Sequence, residues 1–279
     1  MKKTRIAPTP SGYLHAGNAF NFLLTDRLAK ATGTKLVLRI DDLDAERTRQ
    51  EYLEDIFLSL DWLGIAVDEG PSGVEDFRAN WSQHHRLERY ASSVDELCGK
   101  GALYPCVCSR QHFERFTRET HTCRSGHGGV TTGSTPWRFR IPEPCRVEVQ
   151  QLDGTNEQVD LAASLPDPII VQRGSGRPAY QIASLSDDLD MGITWIIRGA
   201  DLLASTAFQL HLAQLLDRPA FGAVLFHHHP LLADAQGRKL SKSAGASSLK
   251  AIREAVGSPD RLIADAEVYA EALVRRLVL

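Results

Sequence analysis

Apolar residues recur with two different periods along this chain, and the changes of period mark its elements. Thr4–Ala7 is a short β-like segment that runs into Pro8, Pro10 and Gly12. After His15-Ala-Gly17-Asn18, the apolar positions of Ala19–Lys30 recur at helical spacing. Lys35–Ile40 (KLVLRI) is a short apolar run with β-branched residues, bounded by Gly33 and by acids, and reads as a buried strand. Strand, helix and strand within about 35 residues make the βαβ unit of a parallel sheet. Thr48–Leu63 puts Leu53, Ile56, Phe57, Leu60 and Leu63 on one helical face, and Trp81–Gly99 does the same with Leu87, Tyr90, Val94 and Leu97.

From Ala102 the pattern changes. Tyr104–Cys108 is short and apolar, Phe113–Arg124 is polar, and Ser125–Ser134 is a Gly/Thr/Ser loop. Trp137–Ile141 and Arg146–Val149 then alternate like paired strands. Parallel-sheet character returns with Pro168–Gln172 and Ile193–Ile197, followed by a helix at Leu202–Leu216 and a strand at Ala223–Phe226. A glycine-and-lysine loop occupies Gly237–Gly245, and Ser248–Leu279 is helical by pattern. The expected organisation is an α/β fold interrupted by an inserted module. Residues 1–100 form the first half of a catalytic domain, 101–166 a partly antiparallel insertion, 167–247 the second half, and 248–279 a short helical tail.

With 43% hydrophobic and 24% charged residues, the chain can bury a substantial core. A net charge of −3 carries no global signature of a nucleic-acid binder, so any such face must be local. No run approaches the roughly 18–20 apolar residues of a membrane span. The N-terminus enters the first strand without a signal-peptide core, so a cytoplasmic location is expected. Five cysteines (98, 106, 108, 123 and 145), three of them clustered, favour a metal over disulfides in a reducing compartment.

The opening stretch joins strand, rigid turn, glycine and helix start, a place where backbone N–H groups and a helix dipole face a phosphate. His15 in that turn can add a hydrogen bond where charge develops during nucleotidyl transfer. Lys239 and Lys242, in a loop flanked by Gly237 and Gly245, suit a leaving pyrophosphate. Cys106, Cys108 and Cys123 suit a structural tetrahedral zinc. The fourth ligand is open among Glu119, His121 and His127.

These segments together resemble the class I aminoacyl-tRNA synthetases. PTPSGYLHAGN is similar to their HIGH signature and RKLSKS to their KMSKS loop. RIDDLDAERT resembles the RIEDTDxxRS segment of the glutamyl and glutaminyl types, as do IIRGADLLAST and Trp81-Ser-Gln-His-His-Arg86. The resemblance runs from Arg5 to about Gly245 with the motifs in the family's order. It implies a Rossmann-like parallel sheet with HIGH- and KMSKS-type loops, a zinc-bearing α+β insertion and a short helical C-terminal tail. The length after the lysine loop and the RGADL wording resemble the family's truncated glutamyl-queuosine branch, which lacks an anticodon-binding domain.

The resemblance implies ATP, Mg²⁺ accompanying it, structural Zn²⁺, L-glutamate, and tRNA(Asp) carrying queuosine as acceptor. ATP is expected at His15, Gly17, Asn18 and Lys242, with His15, Lys239 and Lys242 stabilising the transition state. Arg5, Thr9, Asp41, Tyr180 and Arg198 are expected to hold the amino acid, Asp41 taking its α-amino group. The chain departs from the family where Asn18 replaces the second His of HIGH and where Asp41 replaces a Glu. Two other readings are an adenylate-forming ligase with a different acceptor, and a non-catalytic nucleic-acid-binding paralogue.

Overall fold

In the computed structural model, residues 1–108, 120–125, 135–231 and 248–277 are described. Strands β1 (Lys3–Ile6) and β2 (Lys35–Leu38) pair in parallel, with Arg5 opposite Val37. Helix α1 (Ala16–Thr32) crosses between them and stops at Gly33, whose φ of 62° lets its N–H turn back to the carbonyls of Ala29 and Lys30. Helix α2 (Gln50–Trp62) buries Leu53, Ile56 and Leu60. A wide turn over 77–81 and a tight one over 83–86 precede helix α3 (Leu87–Gly99). The Trp81–Gly99 segment is therefore helical in the α sense only from Leu87.

The middle of the chain is antiparallel. Strand β3 (Leu103–Pro105) pairs with β4 (Trp137–Phe139), while β5 (Arg146–Gln150) pairs with β6 (Asn156–Asp160) as a hairpin. Strand β7 (Ile169–Val171) joins the other side of β4, also antiparallel. Two expectations are corrected here. Trp137–Ile141 and Arg146–Val149 do not pair with each other, and Pro168–Gln172 does not return to the parallel sheet. Short apolar runs report burial, not the direction or identity of the partner strand. Buried Asp167 ties this region together, accepting from Tyr104 Oη at 2.9 Å, Arg124 Nε at 2.8 Å and the Ile141 N–H at 3.2 Å.

Helix α4 (Tyr180–Asp190) leads to strand β8 (Trp195–Gly199), helix α5 (Leu203–Leu215) and strand β9 (Leu225–His229). Strands β8 and β9 pair in parallel with Arg198 opposite His228. The β1–β2 and β8–β9 pairs abut. Thr194 N–H donates to the Lys3 carbonyl at 2.8 Å, and the Thr4 hydroxyl donates to the Trp195 carbonyl at 2.9 Å. The C-terminal ends of β1 and β8 thus come side by side, the edge of an open α/β sheet where ligands bind.

Two apolar clusters flank this sheet. One packs α3, the middle strands and α5 around Tyr90, Trp137, Phe139, Phe208 and Phe226. The other packs β1, α1, β2 and α2 with two further helices, α6 (Leu249–Val256) and α7 (Asp260–Val274). Helix α7 lies along α1 and buries Ala266, Ala270 and Leu273, and Arg27 Nε meets Glu267 at 3.0 Å. Small residues at 266 and 270 let the two helices approach closely. Burial of the Leu273 side chain contributes about 2 kcal/mol. Among the described residues, no helix is long and apolar enough to cross a membrane.

Candidate active site

His15 caps α1. Its Nδ1 accepts the Gly17 N–H at 3.1 Å, and its own N–H donates to Asn18 Oδ1 at 3.0 Å, so two of the helix's orphan donors are met. With Nδ1 accepting, a neutral ring carries its proton on Nε2, so the histidine is set as a donor. Gly17 has a tighter requirement than room for a nucleotide. A Cβ there would lie 3.0 Å from His15 Cε1 and 3.1 Å from Nδ1. Glycine keeps the cap histidine in its rotamer.

The chain on either side of the lysine-bearing loop stands at the same turn. Before it, His229 Nε2 lies 3.2 Å from Asn21 Nδ2. After it, Leu249 N–H donates to the Leu14 carbonyl at 2.7 Å, and Ser248 bridges His15. Lys239 and Lys242 themselves lie outside the described residues.

The amino-acid candidates gather at the ends of β1 and β8. Arg39 Nε and Nη2 grip both oxygens of Asp41 at 2.6 and 3.0 Å, and Arg39 Nη1 reaches Asp188 Oδ1 at 2.6 Å. Arg5 Nε donates to the same Asp188 oxygen at 3.2 Å. Arg198 donates from Nη1 to Gln209 Oε1 at 2.5 Å and to Thr206 Oγ1 at 3.2 Å. Its Nη2 stands 4.0 Å from Asp188 Oδ2. Arg198 is 3% exposed and Asp188 fully buried, and among the described residues Arg198 Nε and Nη2 and Asp188 Oδ2 have no hydrogen-bond partner. Unmet charged edges deep in a fold mark a site that awaits a polar ligand. Tyr180, at the start of α4, is half-exposed and close enough to feel the Arg5 charge. Thr9 is exposed, and no described hydrogen bond joins it to the arginines.

Burial dominates the electrostatics. It lowers the Arg5 pKa, opposed by Asp188, and raises the Asp41 pKa, opposed by Arg39. Arg39 has its pKa raised, because Asp188 and Asp41 outweigh its own burial. A second, equally buried acid network stands next to the first. Asp42 accepts from Ser82 Oγ at 2.6 Å and the Gln83 N–H at 2.8 Å, while Asp187 accepts from Gln83 Nε2, Arg86 and Tyr90 Oη. Sequence reasoning passed over Arg39, Gln83, Asp187, Asp188, Thr206 and Gln209. Their burial comes from contacts across the whole fold, which no local pattern in the sequence marks.

Cys106, Cys108, His121 and Cys123 bring their donor atoms within 4.8 Å of one another. His121 Nε2 lies 3.6 Å from Cys106 Sγ and 3.5 Å from Cys108 Sγ, and Cys108 and Cys123 are 3.9 Å apart at sulfur. A zinc tetrahedron with bonds of about 2.3 Å to sulfur and 2.0–2.1 Å to nitrogen has edges of roughly 3.5–3.8 Å, so the cluster fits that ion. Glu119 and His127 lie outside the described residues.

Residues 2–263 match the family of class I tRNA synthetases (E and Q), catalytic domain. A glutamate–tRNA ligase of Ruegeria is 34% identical over 285 residues, 94% of this chain and 60% of that protein. A glutamyl-Q tRNA(Asp) synthetase of Nitratidesulfovibrio vulgaris is 35% identical over 274 residues, 91% of this chain and 82% of that protein. The crystal structure of a glutamate tRNA ligase from Elizabethkingia meningosepticum, in complex with its amino acid, superposes with a TM-score of 0.67 at 25% identity, covering 88% of this chain and 52% of that one. The chain belongs to the catalytic-domain family of class I aminoacyl-tRNA synthetases of the glutamyl and glutaminyl type, a family of ligases that use ATP and Mg²⁺. It spans 60% or less of the length of the glutamate–tRNA ligases it matches.

Proposed function

We propose that this protein activates L-glutamate with ATP and transfers it to the queuosine base of tRNA(Asp). The observation that carries the activation step is the Nε–Nη2 edge of Arg198, buried and unmet beside Arg5. Two arginines, a buried acid and Tyr180 suit an amino acid with a second carboxylate. ATP would lie with its phosphates at the first turn of α1, where the helix dipole and the N–H groups favour negative charge.

A glutamate α-carboxylate oxygen attacks the α-phosphorus, the bond to the bridging oxygen of the β-phosphate breaks, and pyrophosphate leaves. His15, donating from Nε2, would stabilise the charge that develops, with Lys242 and Lys239 closing on the departing pyrophosphate. Transfer then joins an acceptor hydroxyl oxygen to the glutamyl carbonyl carbon, the hydroxyl proton passes to a phosphate oxygen of the adenylate, and AMP departs with the electron pair of the broken anhydride bond. No protein nucleophile is required.

Zinc would be held by Cys106, Cys108, His121 and Cys123, where it would tie the end of β3 to the turn at 122–125. Asp41, with both oxygens on Arg39, would receive the α-ammonium group only through the lone pairs left on those oxygens. The acceptor rests on the similarity to the glutamyl-Q tRNA(Asp) synthetase alone.

Glutamate-dependent exchange of pyrophosphate into ATP tests the activation step, and its absence with every amino acid would leave a binding protein instead. Labelling of queuosine-containing but not queuosine-lacking tRNA(Asp) tests the acceptor. Equal labelling of both, or of neither, refutes it and favours a ligase with another acceptor.

A further inference from the structure

Arg198 is held from behind by a chain of groups that begins in the β5–β6 hairpin. Leu152 N–H donates to the Phe226 carbonyl at 2.7 Å, which fixes the hairpin's turn beside β9. Gln151 Nε2 then stands 3.3 Å from His228 Nδ1, His228 Nε2 lies 2.8 Å from Thr206 Oγ1, and Thr206 Oγ1 accepts from Arg198 Nη1 at 3.2 Å. The proton directions close consistently. The amide N–H₂ of Gln151 can only donate, so His228 Nδ1 accepts and Nε2 carries the proton. His228 Nε2–H therefore donates to Thr206 Oγ1, and the Thr206 hydroxyl donates onward to the Leu202 carbonyl at 3.2 Å. The second Nη1 proton of Arg198 goes to Gln209 Oε1, and Gln209 Nε2 is tied to Ser184 Oγ at 2.6 Å.

We propose that Gln151, His228 and Thr206 are positioning residues that set the rotation of the Arg198 guanidinium, so that its Nε–Nη2 edge presents two parallel donors to the distal carboxylate of the amino acid. This rests on the reading of Arg198 as the carboxylate anchor. With both Nη1 protons engaged, only that edge remains, and it is the edge that grips a carboxylate bidentately. A neutral imidazole is needed at 228, because an imidazolium would turn an N–H toward Gln151 Nε2 and set a charge beside Arg198. Burial and the neighbouring Arg198, His227 and His229 all disfavour that charge. The arrangement also links the inserted hairpin to the amino-acid pocket, so the hairpin has a part in substrate selection as well as packing.

The test uses the full chain and four variants in amino-acid-dependent pyrophosphate exchange. Thr206→Val and His228→Leu should raise the KM for glutamate about tenfold or more while the KM for ATP stays within about twofold. Thr206→Ser should restore the glutamate KM, and His228→Gln, which keeps a donor near Nε2, should recover most of it. An unchanged glutamate KM in folded Thr206→Val and His228→Leu, or equal rises for both substrates, overturns the relay. Nitrogen NMR of the histidine rings reads the relay without activity. His228 should be an Nε2–H tautomer between pH 6 and 8, and an Nδ1–H tautomer overturns the proposal. If exchange occurs only with another amino acid, the glutamate reading fails, and the relay is judged on the KM of that amino acid.

Discussion

Arg39 and Asp188 are 149 positions apart in the chain and 2.6 Å apart in space, both almost wholly buried. Their contact joins the end of β2 to α4 and brings Arg5, Arg39 and Arg198 around one acid, with Asp41 held on the other side of Arg39. Asp188→Asn keeps the volume but leaves Arg5 and Arg39 without their shared charge. Breaking a buried pair in this way costs about 3–5 kcal/mol. Urea unfolding measures it, and a loss under about 1 kcal/mol would show that the arginines find other partners.

Gly17→Ala separates the helix cap from the chemistry. Alanine in a helical position is favoured over glycine by about 1 kcal/mol and a loosened His15 cap costs about as much, so stability should change little. The new Cβ would press on the His15 ring, and kcat for pyrophosphate exchange should fall roughly tenfold or more. Unchanged kcat in this variant would remove His15 from the transition state.

Elemental analysis should find about one zinc per chain. Cys106→Ser, Cys123→Ser and His121→Ala should each lose it and lower the thermal midpoint, whereas His127→Ala should keep it. Retention in His121→Ala with loss in His127→Ala would move the fourth ligand.

Acid should destabilise the protein through β9. His227 packs on Tyr269 with Asp153, His229 and Arg276 around it, and burial lowers its pKa to about 4. His228 is lowered to about 3 by burial and by Arg198. The unfolded chain binds these protons first as pH falls through 6.5, so stability present above that pH is lost progressively down to about 3. For His227 the loss is on the order of 3 kcal/mol. Unfolding midpoints between pH 7 and 4 measure the slope, and His227→Phe should flatten it. An identical slope in that variant would assign the acid lability to other groups.

Much of the fold was readable because its signals are local. Helical spacing, the proline-glycine turn and β-branched runs each mark an element from within a dozen residues, so β1, α1, β2, α2 and α5 fall close to where the pattern puts them. Strand partners are decided by packing across the whole chain, which is why β7 was assigned to the wrong sheet. The pocket divides the same way. Arg5, Asp41 and Arg198 sit in recognisable segments, but Arg39 looks like a strand-end charge and Asp187 and Asp188 like a solvated pair on a helix. Only the fold shows that these charges face one another. Of the three candidate fourth ligands only His121 lies among the described residues, and its ring stands beside the cysteines.

The pairing of α7 with α1 has a consequence for synthesis. Ala29 is made well before Leu273, so the apolar flank of α1 stays open while the intervening chain is translated, roughly 10–50 s at ordinary elongation rates. The helix that opens the nucleotide turn is thus covered only after the whole intervening sheet has been made. Nascent chains stalled before Asp260 should be bound by hydrophobic-patch chaperones and released once α7 emerges.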